Sequence, residues 1–381
     1  MNFNLTEEQQ LLRNSIRKFM KGECPREVVR EFDEKSEFPH DLLRKLSDLG
    51  YMAICVPEEY GGVGGDAIDS VIVYEEISRV MPLLAWAMGN ITLYGNEIIL
   101  HNGNEEQKRS YLPKLVKGDL KFAFALTESD AGSDAASIRT HAVLKDGTYL
   151  INGSKLYITG AGVSDIIVTA ARTAEPRYEG ITLFLVDGKS EGYSAIPMRK
   201  LGYHGSNTCE VVYDDVKVSP ENILGGPQGL NRGWPQMMKL LNGERLALSG
   251  CALGIAQAAF DDALDYAKKR VQFGQPIGKF QAIQHKLVDM ATNLEAARQF
   301  AYYAAWRESK HMECIKETSM SKYLTTETAK KIVMEGMQIL GAYGYMMEVD
   351  MQRYLRDVVM LTIGGGTSEI QKNIIGKTLG L

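Results

Sequence analysis

Apolar residues recur at helical spacing near the start of the chain. Leu11, Leu12, Ile16 and Phe19 fall on one face, which predicts an amphipathic helix. Asn4 or Thr6 can cap it, with Glu7 and Glu8 in its first turn. Helical patterning continues at 40–49, 67–80, 84–100 and 105–116, broken by the Pro- and Gly-punctuated loop VPEEYGGVGG. From about Lys121 the period changes. Phe122, Phe124 and Leu126 alternate with small residues. Asp146-Gly147 and Asn152-Gly153 supply hairpin-type turns between short apolar runs. With DIIVTAAR, GITLFLVDG, YSAIPM and CEVVYDDVKV this makes about seven strands, as in a small antiparallel barrel or sandwich. Beyond Gly225, Gly226, Pro227 and Gly229 long helices return at roughly 235–271, 280–309 and 313–341, with a short one from Ser368. The order is helical domain (1–119), β domain (120–229), helical domain (230–381), an α+β chain.

Composition narrows the function classes. A net charge of -5 and a pI near 5.8 argue against a nucleic-acid or anionic-membrane surface as main partner. Five scattered cysteines without a CxxC pair suggest reduced thiols. The N-terminus has neither a signal-peptide nor a transit-peptide pattern, and no apolar run approaches membrane-spanning length. A cytoplasmic protein is expected.

The sequence contains no HExxH, Walker A, GxSxG or GxGxxG. Its six histidines are isolated and none pairs with a cysteine at metal-ligand spacing, so no metal site is expected. Five stretches carry candidate chemistry. FALTESDAGSD leaves a strand for a loop whose backbone N–H groups and hydroxyls suit a polar ring edge or a phosphate, though taken alone it reads as a β-turn with Asx and Ser chemistry. KLYIT sets an aromatic and a threonine at a strand end, where a planar ring can lie. In RVQFGQPIGKFQAIQ, Arg270 suits a pyrophosphate or simply the C-terminus of its helix. QILGAYG offers small residues at a helix end. LTIGGGTSEIQ sets three glycines before Thr367 and Glu369, a plain turn or a place for close backbone approach.

One further residue stands out by position. Met237, Leu241, Leu248, Cys251 and Ile255 form one apolar stripe, and Glu244 falls on it. A carboxylate on a buried face must be paired or have a raised pKa. The first case is an ion pair with an arginine such as Arg245; the second suits a general base.

TEEQQLLRNSIRKF, VPEEYGG, LTESDAGSD, NGSKLYIT, GERLALSGCALGIAQAA, ALDYAKKRVQFGQPIGKFQAIQ, MQILGAYGY and YLRDVVMLTIGGGTSEIQ occur in the order and spacing of the acyl-CoA dehydrogenase family, and the chain resembles that family over essentially its whole length. The resemblance implies an N-terminal α domain, a middle antiparallel β-barrel domain and a C-terminal four-helix bundle. It implies one FAD per subunit of a homotetramer, an acyl-CoA substrate and an electron-transferring flavoprotein as acceptor. Phe124, Leu126, Thr127, Gly132 and Ser133 would then line the flavin, with Ser133 also at the thioester. Tyr157, Ile158 and Thr159 would face the isoalloxazine ring, Tyr157 standing where relatives more often have Trp. Arg270, Phe273, Gln281, Gln338, Ile339, Leu340, Gly341 and Ala342 would contact the FAD of the same or a neighbouring subunit. Thr367 and Glu369 would sit at its diphosphate and ribose. Asn242, Gly243, Arg245, Gly364 and Gly365 would lie along the thioester channel.

Two departures matter. Thr127-Glu128-Ser129-Asp130 replaces the more usual Thr-Glu-Pro-Gly. Where many straight-chain dehydrogenases carry the catalytic Glu just before Gly-Thr, this chain has Gly365. The chemistry needs a base for the α-proton while the β-hydride leaves for flavin N5. The isovaleryl-CoA-dehydrogenase-like branch carries its Glu on the helix, in a pattern matched by LLNGERLALSG, and the match lands on Glu244. The same motif fits an enoyl-CoA reductase of the crotonobetainyl-CoA-reductase-like branch; an acyl-CoA oxidase and a catalytically idle flavoprotein scaffold are further alternatives. The vacated position 365 predicts room beside the thioester, hence a short branched, cyclic or otherwise bulky acyl chain, in a pocket near Met88, Leu93 and Tyr94.

Overall fold

The structure is a computed structural model and describes residues 4–381. Helix α1 (Glu7–Glu23) is capped by Thr6, whose side chain accepts from the Gln9 N–H while Gln9 answers to the Thr6 N–H. Then follow α2 (Arg26–Lys35), α3 (His40–Asp48), α4 (Ala67–Ser78), α5 (Pro82–Ile91), α6 (Ile98–Asn102) and α7 (Glu105–Val116). The sequence pattern predicts one helix over 84–100. The chain instead leaves α5 through a π-helical turn, Thr92–Glu97, before α6. Helix α2 has no counterpart in the sequence-based expectation.

Seven strands form one sheet: β1 (Phe122–Ala125), β2 (His141–Lys145), β3 (Thr148–Ile158), β4 (Ile166–Arg172), β5 (Ile181–Asp187), β6 (Tyr193–Pro197) and β7 (Cys209–Val218). Their order is β1-β4-β2-β3-β7-β6, with β5 also on β4. The sheet is mixed rather than wholly antiparallel, because β1 and β2 both run parallel to β4. The reason lies in burial. Phe122, Val168, Ala170, Leu183 and Leu185 point into the helical core, while Ala123, Ala125, Ile167, Ala171, Phe184 and Val186 point into a second core within the sheet. Strands buried on both faces read as unbroken apolar runs and tolerate parallel pairing.

The last third holds α8 (Gly233–Lys269), a small hairpin of β8 (Val271–Gln272) and β9 (Gln275–Pro276), α9 (Gln281–Ser309), α10 (Ile315–Leu340), α11 (Asp350–Leu361) and α12 (Ser368–Thr378). Helices α8, α9 and α10 pack on one another, α11 lies beside α8 and α10, and α4 of the first helical region packs along α8. The middle of α8 is thus enclosed, with Leu246 to Ala256 all buried. No helix among the described residues is long and apolar enough to cross a membrane.

Candidate active site

The stripe on α8 does face inward, and Glu244 lies on it. Glu244, Ala247, Leu248 and Cys251, spaced three, four and seven apart, line one wall of a cleft. Opposite stand Ala85, Trp86 and Gly89 of α5, Leu93 and Tyr94 of the π turn, Tyr74 of α4, and Thr159 just past β3. The cleft encloses about 330 Å³ of free space, part of it open to solvent. Its walls are apolar and aromatic, with polar atoms at few points.

Glu244 is only part-buried by surface, because it opens onto this cleft. Its carboxylate Oε1 accepts a hydrogen bond from the Tyr94 hydroxyl at 3.1 Å. Burial pushes its pKa up, against the Tyr94 hydrogen bond and the charges of Arg245 and Lys322, which pull it down. The alternative of an ion pair with Arg245 is not what the chain adopts. Arg245 Nη1 donates to Asn242 Oδ1 at 3.3 Å instead.

Gly365 stands against this carboxylate. A Cβ built there would lie 3.7 Å from Glu244 Cδ and 3.8 Å from Oε1. The two positions at which a base is expected therefore converge on one spot, although 121 residues separate them in the chain. The expected room beside Gly365 is absent, however. The same Cβ would overlap Leu248 Cδ1, and the residue has φ +63. Leu248 has taken the volume a side chain at 365 would need. The triple-glycine turn is held from below by Lys322, fully buried on α10, whose Nζ donates to Gly366 O at 2.7 Å, and by Gln371 Nε2, 3.1 Å from both Gly365 O and Gly366 O. Burial lowers the Lys322 pKa to about 8, although Glu244, Glu327 and Glu369 act to raise it.

The loop after β1 is shaped by a buried ion pair. Lys155 Nζ, on β3 and without solvent exposure, donates to Glu128 Oε1 at 2.8 Å and to Leu126 O at 3.0 Å. The Glu128 carboxylate also accepts from the Arg139 and Thr140 N–H groups at 2.6 and 2.9 Å. Burial alone would raise the Glu128 pKa; the Lys155 charge and these hydrogen bonds hold it below its ordinary value. So fixed, the loop leaves Gly132 and Ser133 exposed, with nothing within 4 Å of a Cβ at Gly132.

The expected site residues fall into separate groups. Phe124, Leu126, Thr127, Gly132, Ser133, Tyr157 and Thr159 lie about the ends of β1 and β3. Tyr157 is 63% exposed, with φ +63, and Phe124 stacks on Tyr94 at 5.8 Å. Ile158 points the other way, into the core of the sheet, so only its backbone can meet a ligand. Arg270, Phe273, Gln281, Gln338, Gly341 and Ala342 gather at the far end of the bundle, where Tyr266 of α8 stacks on Tyr343 at 5.6 Å. Phe273 there is 95% exposed at the hairpin tip. Ile339 and Leu340 are buried in the helical core and offer no side chain to a ligand. Along α8, Arg270 lies roughly 39 Å from Glu244 at 1.5 Å per residue. Thr367 is the N-cap of α12, accepting from the Ile370 N–H at 3.2 Å, and Glu369 is exposed in its first turn. Asn242 and Gly243 face away from the cleft: Asn242 Oδ1 accepts from Thr318 at 3.0 Å, and Gly243 backs onto the Glu97 carboxylate. Burial, then the nearby Glu308, raises the Glu97 pKa to about 7. Of the pocket residues expected, Leu93 and Tyr94 line the cleft, whereas Met88 is core. Tyr74, Trp86 and Gly89 escaped sequence reasoning because nothing in their local pattern separates a cleft wall from core.

These groups fit a flavin. An exposed aromatic face at Tyr157, the unobstructed Gly132-Ser133 loop and the Thr159 hydroxyl at the cleft suit a planar ring with polar edges.

Comparison with known proteins agrees over the whole chain. The N-terminal, middle and C-terminal domain models of acyl-CoA dehydrogenase match residues 6–119, 123–216 and 231–380. An acyl-CoA dehydrogenase of Bacillus subtilis (strain 168) is 43% identical over 379 residues, covering 99% of each chain. The caffeyl-CoA reductase-Etf complex subunit CarC of Acetobacterium woodii is 39% identical and covers 98% of each chain. The three-dimensional structure of butyryl-CoA dehydrogenase from Megasphaera elsdenii superposes with a TM-score of 0.96 at 35% identity, covering 100% of both chains. The chain therefore belongs to the acyl-CoA dehydrogenase family, FAD-binding flavoprotein oxidoreductases that act on the CH–CH bond of acyl-CoA.

Proposed function

We propose that this flavoprotein dehydrogenates a short branched, cyclic or otherwise bulky acyl-CoA thioester, with Glu244 as the base that takes the α-proton. The observation that carries this reading is a single cleft lined by Thr159 on one side and Glu244 on the other, with Gly365 against the carboxylate. An acyl chain lying between them presents its α-carbon to Glu244. Bound FAD supplies the acceptor for the β-hydride. Tyr157, Thr159 and the loop of Thr127, Gly132 and Ser133 would hold the flavin, with Thr367 and Glu369 toward its phosphate end. Leu248, Trp86, Tyr74 and Tyr94 wall the cleft with apolar and aromatic surface and limit its length. The short aromatic enclosure now supports a compact acyl group, in place of the empty space first expected at position 365.

The two groups of expected cofactor contacts stand too far apart along α8 for one flavin within one protomer. That separation supports a homotetramer in which the far end of one bundle completes a neighbour's site. The exposed Phe273, Tyr343, Tyr345, Met346 and Met347 near that end support it too. An electron-transferring flavoprotein is the proposed electron partner and the cytoplasm the proposed location. The same residues serve the reverse reaction, enoyl-CoA reduction, and the likeness to a caffeyl-CoA reductase subunit favours that as the second reading.

The test is Glu244→Gln. Loss of a general base costs about 10²–10⁴ in rate. The variant should retain yellow, FAD-loaded protein yet lose flavin bleaching across a panel of butyryl-, isovaleryl-, cyclohexanecarbonyl- and 3-phenylpropanoyl-CoA that bleaches the wild type. Bleaching at near wild-type rate would assign the proton to another group. A straight long-chain acyl-CoA turning over faster than every member of the panel would overturn the substrate class.

A further inference from the structure

The geometry points to Tyr94 as the positioning residue of the base: its hydroxyl engages one carboxylate oxygen of Glu244 and leaves the other to receive the α-proton. This deepens the reading of Glu244 as base and rests on it.

Three observations place Tyr94 in this role. The Tyr94 hydroxyl lies 3.1 Å from Glu244 Oε1, and among the described residues no other donor is within hydrogen-bond distance of that carboxylate. Second, the Tyr94 ring is itself clamped: it lines the cleft and stacks on Phe124 with ring planes 24° apart. A donor fixed by packing fixes the acceptor it holds, and Glu244 can then rotate little about its last torsion. Third, Tyr94 is delivered by the only π-helical segment among the described residues. The wider turn breaks the α-helical register between α5 and α6, and such turns recur at functional sites in helices. The same turn also seats buried Asn96, whose Nδ2 donates to Met52 O at 2.8 Å, while Thr92 bonds Met88 O at 3.1 Å and Tyr74.

The charged and titratable groups around the carboxylate are few. The charge of Arg245, the next residue on α8 and turned to Asn242, acts on it, as does that of Lys322 on α10; Tyr94 meets it from the π turn, with Tyr74 of α4 near Tyr94. Burial keeps the Tyr94 phenol well above its ordinary pKa, so it stays a donor through the working pH range. A hydrogen bond to the charged form favours it. Removing the hydroxyl should therefore raise the pH at which Glu244 becomes a competent base, and leave its oxygens free to turn.

Tyr94→Phe keeps the ring and its stacking, and 3-fluorotyrosine at position 94 makes a stronger donor in the same shape. With the fastest acyl-CoA of the panel above, kcat/KM is measured from pH 5 to 9. In Tyr94→Phe the acid limb should move up by about one pH unit. Its kcat near neutrality should fall about tenfold or more while KM changes little. The fluorotyrosine protein should move the limb the other way. Exchange of the α-hydrogens in D2O should slow in step with kcat in Tyr94→Phe. A residue serving only to pack would alter thermal stability or KM and leave the limb in place. An unmoved acid limb in both proteins, or in the fluorotyrosine protein alone should Tyr94→Phe fail to fold, overturns the assignment. Those outcomes are separate from failure of the base itself, which shows as an active Glu244→Gln.

Discussion

Gly365 and Leu248 carry the sharpest lesson at the scale of single residues. The glycine was legible in the sequence as a missing carboxylate, and the missing group led to Glu244. What the chain does with the vacated volume was not legible, because Leu248 reaches it from α8, far away in the chain. Gly365→Ala meets two obstacles. A non-glycine residue at φ +63 costs about 1–2 kcal/mol, and overlap with Leu248 adds about 1–3 kcal/mol. Thermal denaturation should show the single variant several degrees less stable, and in a Leu248→Ala background, itself destabilised by a core cavity, Gly365→Ala should cost less by the steric part only. If Gly365→Ala is as stable as the wild type, the turn is not fixed as described. Ile158, Ile339 and Leu340 make the complementary point. Their place in motifs was legible, but only burial decided that their side chains serve cores and not a ligand.

At the scale of elements, α8 was the most readable, since its apolar stripe survives the full length of a helix and marks the inward face. The π turn was invisible, because a register change of this kind leaves no mark in hydrophobic spacing. The parallel pairings of β1 and β2 with β4 were invisible too, since strands buried on both faces look alike whichever way they run. The loop between β1 and β2 depends on the Lys155–Glu128 pair. Breaking such a pair from one side leaves an uncompensated buried charge, at about 3–5 kcal/mol. Lys155→Met should lower the melting temperature, speed proteolysis between Thr127 and Asp134, and reduce bound FAD. Adding Glu128→Leu should restore part of the stability. Unchanged proteolysis and FAD content in Lys155→Met would mean that the loop is held by other contacts.

For the whole molecule, polar clamps tie the three regions together. Arg26 and Arg30 of α2 both reach Asp350 at the start of α11, at 2.9 Å each. Arg356 of α11 pairs with Asp33 of α2 at 2.5 Å. Asp357 accepts from the Tyr203 N–H, in the stretch between β6 and β7, at 2.6 Å. Burial raises the Asp357 pKa from 3.8 to about 7, with Asp33 adding to it while the Tyr203 hydrogen bond and the arginines oppose. The folded protein then holds a proton that the unfolded chain has released between pH 4 and 7, so this group's contribution to stability falls as pH rises through that window. At 1.36 kcal/mol per unit the loss by pH 8 is on the order of 4 kcal/mol. Asp357→Asn keeps an acceptor for Tyr203 without that loss. Its melting temperature relative to the wild type should rise between pH 5 and pH 8; a constant difference would sink the argument. Helices α2 and α11 were the elements the sequence pattern missed, and these clamps are the reason. In α11, Asp350, Gln352, Arg353 and Asp357 are buried, so polar residues occupy positions that periodicity expects to be apolar.

The sequence by itself determined the three-region order and the helix stripe that carries Glu244, and its resemblance to the family implied the flavin chemistry and the base. Those rest on local periodicity and on motifs in register, which are properties of neighbours along a chain. Only the tertiary structure decided what meets Glu244: Gly365 at its side, Leu248 in the space the absent carboxylate left, and Tyr94 on its oxygen. Each comes from a different element, brought there by the packing of α8 against the π turn and the last helices. Contacts between distant segments follow from how surfaces fit, and hydrophobic spacing along one segment does not encode that fit.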